Sequence, residues 1–166
     1  MKWFAAYVRS RHESRVAQHL ADRDVELFLP QYTSKRRWSD RQVNLPMPLF
    51  PGYLFVRIPV DDRTRVLTTP GVIMLVGAGG QPQALADAEI EQLKMAVKNG
   101  NDPQPHGFIK IGERVTVTQG PLAGYEGFLV RDKGNHRVVL TMDLIKRSMS
   151  VEVDVDWIVP AERIRS

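Results

Sequence analysis

The chain has 166 residues, of which 43% are hydrophobic and 25% charged, a balance suited to one large folded domain or two small ones. It contains no cysteine, which excludes disulfides, thiolate metal sites and a cysteine nucleophile. The formal net charge of +4 is unevenly spread, because residues 1–99 hold 14 Lys and Arg against 10 Asp and Glu while residues 100–166 hold nine of each. A basic excess confined to the first part suits a partner carrying phosphates, or equally a solvated basic surface. No stretch approaches the roughly 18 apolar residues of a membrane span. The apolar run near the N-terminus is too brief for a signal peptide, so a soluble cytoplasmic protein is expected.

Trp3 to Arg9 is an apolar, aromatic run that predicts a buried strand. Ser10-Arg11-His12-Glu13 matches a capping box, in which Ser10 and Glu13 would each satisfy the other's backbone amide. The helix that follows is expected to reach about Arg23, with Val16, Ala17 and Leu20 inward. Val25 to Tyr32 predicts a second strand. The basic stretch Thr33 to Arg41, followed by Val43 to Leu49 with Pro46 and Pro48, predicts an extended, projecting hairpin. Phe50-Pro51-Gly52 is a turn, and Tyr53 to Ile58 is the strongest strand signal in the chain. Asp61 to Leu67 is a short helix candidate, Pro70-Gly71 a turn, Val72 to Val76 a strand and Gly77 to Gly80 a loop. Asp87 reads as the N-cap of a helix with Ile90, Leu93 and Val97 on one face, ended by Asn99-Gly100.

Asn101 to Gly107 carries two prolines among polar residues and reads as a linker. Beyond it Val115, Val117, Leu129, Val138, Leu140, Val151, Val153 and Val155 alternate with polar residues, and Gly120, Gly124, Gly127 and Gly134 mark turns. That pattern predicts a small, strongly bent sheet or barrel. The expected fold class is α+β: an N-terminal α/β sandwich with a mainly antiparallel sheet at 1–99, a linker at 100–108, and a small C-terminal β-barrel at 109–166.

Catalytic constellations are missing from the pattern. His12, His19, His106 and His136 have no metal-ligand spacing. Gly77-Ala78-Gly79-Gly80 is not followed by the Gly-Lys-Ser/Thr of a phosphate loop. Glu152, Asp154 and Asp156 alternate as on the solvent face of a strand. The expectation is therefore no enzyme, no cofactor and no metal. In Tyr53 to Ile58, period-two alternation sends Leu54, Val56 and Ile58 to one face and Tyr53, Phe55 and Arg57 to the other. Either the second face presents its aromatics to a partner, or both faces are covered.

Two constellations carry a resemblance. Leu49-Phe50-Pro51-Gly52-Tyr53-Leu54-Phe55-Val56, and Val115-x-Val117-x-x-Gly120-x-x-x-Gly124-x-x-Gly127-x-Leu129-Val130, in this order and spacing, resemble the NusG family of transcription elongation factors. Trp3 to Arg9 is similar to that family's first strand. The resemblance covers nearly the whole chain and implies an NGN-like RNA-polymerase-binding domain followed by a KOW-like β-barrel domain. It implies that Tyr7, Phe50, Tyr53 and Phe55 lie on or near the patch that grips the RNA polymerase clamp. It implies nucleic-acid contacts, to upstream or non-template DNA, from Arg9, Arg11, Arg15 and His19 at the first helix and from Lys35, Arg36, Arg37 and Arg41 in the hairpin. Trp38 would either stack on a base or pack the hairpin.

In the KOW-like domain the resemblance implies a recruiting loop at Met142 to Met149, with Leu144, Ile145, Lys146 and Arg147 as KOW partner-binding residues. The partner would be a ribosomal protein or the termination factor Rho. Housekeeping members carry Phe-Gly-Arg-x-Thr-Pro in this loop, where this chain has Ile145-Lys146-Arg147-Ser148-Met149-Ser150. The Leu144-Ile145 pair is closer to the RfaH-like specialised paralogues, which implies suppression of pausing or termination rather than support of Rho. The β-branched alternation of this part favours strands over a helical alternative. A monomer is expected. The competing functional class is an RNA-binding module acting without polymerase, because Gly52 to Ile58 echoes the aromatic sheet signature of RNA-recognition folds, with Pro51 where a basic residue belongs.

Overall fold

The computed structural model describes residues 1–108 and 112–161, with the backbone alone described for Arg36 and Trp38. It divides into two compact units, Met1–Glu91 and Gln92–Ser166. The boundary falls inside a helix, earlier than the expected break after residue 99.

The first unit opens with β1 (Lys2–Val8), α1 (Glu13–Asp22) and the short β2 (Glu26–Phe28), followed by the hairpin strands β3 (Gln31–Trp38) and β4 (Arg41–Pro48). Then come β5 (Tyr53–Ile58), a 3-10 turn at Val60–Asp62, α2 (Arg63–Leu67) and β6 (Val72–Leu75). The glycine-rich segment expected as a loop is a small hairpin of β7 (Gly77–Ala78) and β8 (Gln81–Pro82), and α3 (Asp87–Asn99) follows, its residues from Gln92 onward belonging to the second unit. β2, β5, β1 and β6 form one antiparallel sheet in that order. Alternation along it has a direct consequence. Phe4, Ala6, Val8, Leu54, Val56, Ile58 and Leu75 share one apolar cluster with Val16 and Leu20 of α1 and Val66 of α2. Burying each large side chain of this kind contributes about 1.5–3 kcal/mol, which fixes α1 and α2 to that sheet face.

The hairpin is a separate two-stranded sheet, in register from Gln31 opposite Pro48 to Trp38 opposite Arg41. A two-strand ribbon has no partner strand to lose, so Pro46 and Pro48 cost it no central ladder bond. At the start of α1 the capping box does not form. The helix begins at Glu13 with His12 as N-cap and no side-chain cap bond. Glu13 instead turns inward, buried, and accepts a hydrogen bond from the Gly52 N–H at 3.1 Å. A tertiary donor has displaced the local one.

The second unit holds β9 (Asn101–His106), β10 (Arg114–Val117), β11 (Glu126–Asp132), β12 (Asn135–Met142), β13 (Arg147–Val153) and β14 (Ile158–Pro160). They pair in the order β14-β10-β11-β12-β13-β9, every described pair antiparallel. Val115, Val117, Val138, Val139, Leu140, Met149 and Val151 are buried in it. Gly120 is required at its turn: it has φ +81°, and a Cβ there would stand 2.5 Å from a ring carbon of Trp157. Asp154 and Asp156 do not share a strand face with Glu152. Asp154 is the N-cap of a 3-10 turn over Val155–Trp157 that contains Asp156, and the Asp154 carboxylate accepts from the Asp156 N–H at 2.9 Å.

The segment expected as a linker is an edge strand over Asn101–His106. Its prolines are tolerated because edge strands need only one line of donors. A side chain of another strand bridges the pair. Arg137, in the middle of β12 and only 5% exposed, sends its guanidinium across β13. It donates to the Ser150 hydroxyl at 2.9 Å and carbonyl at 3.1 Å, to the Asp102 carboxylate at 3.2 Å and to the Asp102 carbonyl. Among the described residues no helix is long and apolar enough to cross a membrane.

Candidate interaction surface

The β1–β5 register sets Tyr7 directly opposite Tyr53, and the β1–β6 register sets Met74 on the other side of Tyr7. Cross-strand neighbours on one sheet face sit close enough for their side chains to touch, so the three make a row across the sheet. The two tyrosine rings stack with centroids 5.2 Å apart. Tyr7 is 38% and Met74 43% exposed, and Tyr53 is half-buried. Met74 was not singled out from the sequence. Its signal was its place in the predicted strand Val72 to Val76, but only the register shows that it adjoins Tyr7.

Phe50 and Phe55, expected on or near the same patch, are fully buried and cannot meet a partner in the folded chain. Phe55 does point to the Tyr53 side of β5, as alternation requires, but two rings close over it. Phe50 meets it edge-on and Phe28 stacks on it, each with a centroid separation of 6.2 Å. The expectation of an exposed Phe55 is corrected: the aromatic run is a floor of phenylalanines with tyrosines at its open end.

The turn between floor and row is closely tied. Gly52 has φ +87°, its carbonyl accepts from the Val8 N–H at 2.8 Å, and the Tyr53 N–H donates to the Phe50 carbonyl at 3.0 Å. A Cβ on Gly52 would meet the Tyr7 ring at 3.4 Å, an ordinary contact, so it is the φ that calls for glycine here.

The cations form two groups. Arg9, Arg11 and Arg15 are exposed around the β1–α1 junction, where Arg11 has φ +66°, and His19 is half-buried further along α1. Lys35, Arg37 and Arg41 are exposed along the hairpin. The side chains of Arg36 and Trp38 lie outside the described residues. Among the described residues no three or more His, Asp or Glu side chains are grouped to hold a metal ion.

Comparison with known proteins decides what these features belong to. The family model described as transcription termination factor nusG matches residues 1–94, more than half of the chain. The chain belongs to the NusG family. It is 25% identical over 167 residues to the transcription termination/antitermination protein NusG of Buchnera aphidicola, covering 92% of each chain. It is 26% identical over 171 residues to that of Lactococcus lactis, covering 94% of this chain and 91% of the relative. A solved structure of Thermotoga maritima NusG shares the fold, with a TM-score of 0.59, 22% identity and 97% of both chains covered. NusG family members are transcription factors and not enzymes.

Within this NusG-family frame the second unit corrects one further expectation. Asp143 to Lys146 form the turn between β12 and β13, closed by the Lys146 N–H on the Asp143 carbonyl at 3.3 Å. Ile145 is 4% exposed, Leu144 half-buried, and Lys146 and Arg147 exposed. Ile145 is therefore a packing residue of its own unit and not a presented anchor. A four-residue turn between paired strands has little freedom, and its most apolar side chain folds inward.

Proposed function

We propose that this NusG-family chain is a transcription elongation and antitermination factor, acting in the cytoplasm, that docks on the RNA polymerase clamp through the row Tyr53, Tyr7 and Met74. The observation that carries the proposal is the stacked, partly exposed tyrosine pair, Tyr53 sharing a face of β5 with the buried Phe55. Rigid aromatics on a prepared base lose little entropy on docking and are the side chains that dominate interface energies. The mechanism is differential affinity. By binding the closed clamp better than the open one, the factor shifts polymerase toward the state that does not pause. The exposed cations of the β1–α1 junction and the hairpin then meet upstream or non-template DNA, adding affinity without reading sequence.

In the C-terminal unit, the turn at Leu144 to Arg147 recruits a further partner, with exposed Lys146 and Arg147 as its contact groups. The absence of the Phe-Gly-Arg-x-Thr-Pro segment favours a specialised antiterminator resembling RfaH over a factor that supports Rho. The burial of Phe55 weighs against the RNA-binding alternative, because a base-stacking platform on the sheet needs that ring uncovered.

The test is retention of RNA polymerase from a cell extract by the full chain and by a Tyr7→Ala/Tyr53→Ala variant. The wild type is expected to retain polymerase, and the variant to lose about thirtyfold or more in affinity, the scale of an aromatic hot spot. A wild type that retains none defeats the proposal. Equal retention by both defeats the patch. Run-on transcription with Rho added separates the antiterminator, which lengthens transcripts, from the general factor, which shortens them.

A further inference from the structure

Glu13 is the one buried acid found among the described residues. A buried carboxylate is costly unless its oxygens are hydrogen-bonded, so its place needs a reason that packing does not supply. Its Oε2 accepts the Gly52 N–H at 3.1 Å, in a bond that is itself buried. Gly52 is the residue before Tyr53, and its carbonyl accepts the N–H of Val8, the residue after Tyr7. Its Cα also faces the Tyr7 ring closely enough that a Cβ would touch it. One residue, Gly52, thus joins both tyrosines, and Glu13 holds it through its N–H. Glu13 is also the first residue of α1, between the exposed Arg11 and Arg15.

We infer that Glu13 is a positioning residue for polymerase docking, setting the Tyr7–Tyr53 pair through the Gly52 amide and tying it to the basic β1–α1 junction; this rests on the function proposed above. A conserved shape at this point would be served as well by Gln as by Glu, whereas a role in gripping the amide would not. A charged acceptor bonds roughly twice as strongly as a neutral one. The order Glu, Gln, Ala therefore separates positioning from packing.

The experiment uses the full chain with Glu13→Gln and Glu13→Ala, reading Gly52 amide hydrogen exchange, the tyrosine near-ultraviolet circular dichroism and affinity for purified RNA polymerase. Gly52 exchange is expected to rise about fivefold in the Gln variant and about thirtyfold in the Ala variant. Tyrosine dichroism and polymerase affinity should fall in the same order. A Gln variant that matches wild type in exchange and affinity overturns the inference, as does an exchange series that polymerase affinity does not follow. Should the Ala variant not fold, the Gln variant decides alone by the same two readouts. A wild type that fails to bind polymerase overturns the proposed function instead. The exchange and dichroism series then decides the positioning by itself, and an unchanged Gln variant defeats it.

Discussion

Tyr53 and Phe55 are two residues apart on β5 and point to the same side of the sheet, yet they do different work. Phe55 is closed over by Phe28 and Phe50, so removing its ring leaves a void among aromatics. Phe55→Ala should cost about 3–5 kcal/mol, seen as a lower urea midpoint, with polymerase binding lost only to the extent that the chain unfolds. Tyr7→Ala, at a 38% exposed site, should leave the midpoint nearly in place while binding falls. If the urea midpoints of the two variants drop equally, the division into floor and docking row is wrong. Alternation made the direction of Phe55 legible from the chain alone. Its burial was not legible, because the rings that cover it come from Phe28 and Phe50, and no period along β5 encodes them. The same holds for Glu13. The local pattern with Ser10 was present, but a backbone donor 39 residues away won the carboxylate.

Among the elements, the strands with strong apolar or aromatic patterns, β1 and β5, were legible with boundaries close to those observed, while the valine alternation of β12 and β13 marked a β-rich unit without fixing where each strand begins and ends. β9 was not, since Asn-Asp-Pro-Gln-Pro-His carries no strand signal of its own. Arg137, third in β12 after Asn135 and His136, reaches β9 through Asp102, a long-range contact that the local pattern does not mark. Arg137→Met keeps the length and removes the donors to Asp102 and Ser150. The expected cost is about 2 kcal/mol, on the low side for a buried cation because exposed Asp102 regains water. Hydrogen exchange should show β9 and the facing edge of β13 losing protection ahead of β11 and β12, and proteases should cut within 101–107. Uniform loss of protection across the sheet would show instead that Arg137 supports the whole unit. Gly120→Ala probes the other end of this sheet. The substitution forces a Cβ against Trp157 at φ +81° and should lower the thermal midpoint by several degrees.

Across the whole molecule the charge is partitioned. The basic excess lies in residues 1–99 and the remainder is neutral. Non-specific duplex binding draws its energy from counterion release, and log K falls with log salt by about 0.9 for each phosphate neutralised. The Lys35 and Arg37 side chains are exposed on one face of the hairpin, and Arg41, opposite Trp38, is exposed on the other. Replacing all three by Gln in the full chain should flatten the salt slope by about 3 if each meets a phosphate. The same treatment of Arg9, Arg11 and Arg15 tests the β1–α1 junction separately. Arg131 and Lys133 are equally exposed but stand in the neutral part beside Asp132, so their replacement should leave the slope unchanged. Titration of duplex DNA at several salt concentrations gives all three slopes. A slope that responds to Arg131 and Lys133 as strongly as to the hairpin would mean that the N-terminal excess is a solvated surface rather than a nucleic-acid face. Polymerase docking through the tyrosine row would then have to supply the affinity alone.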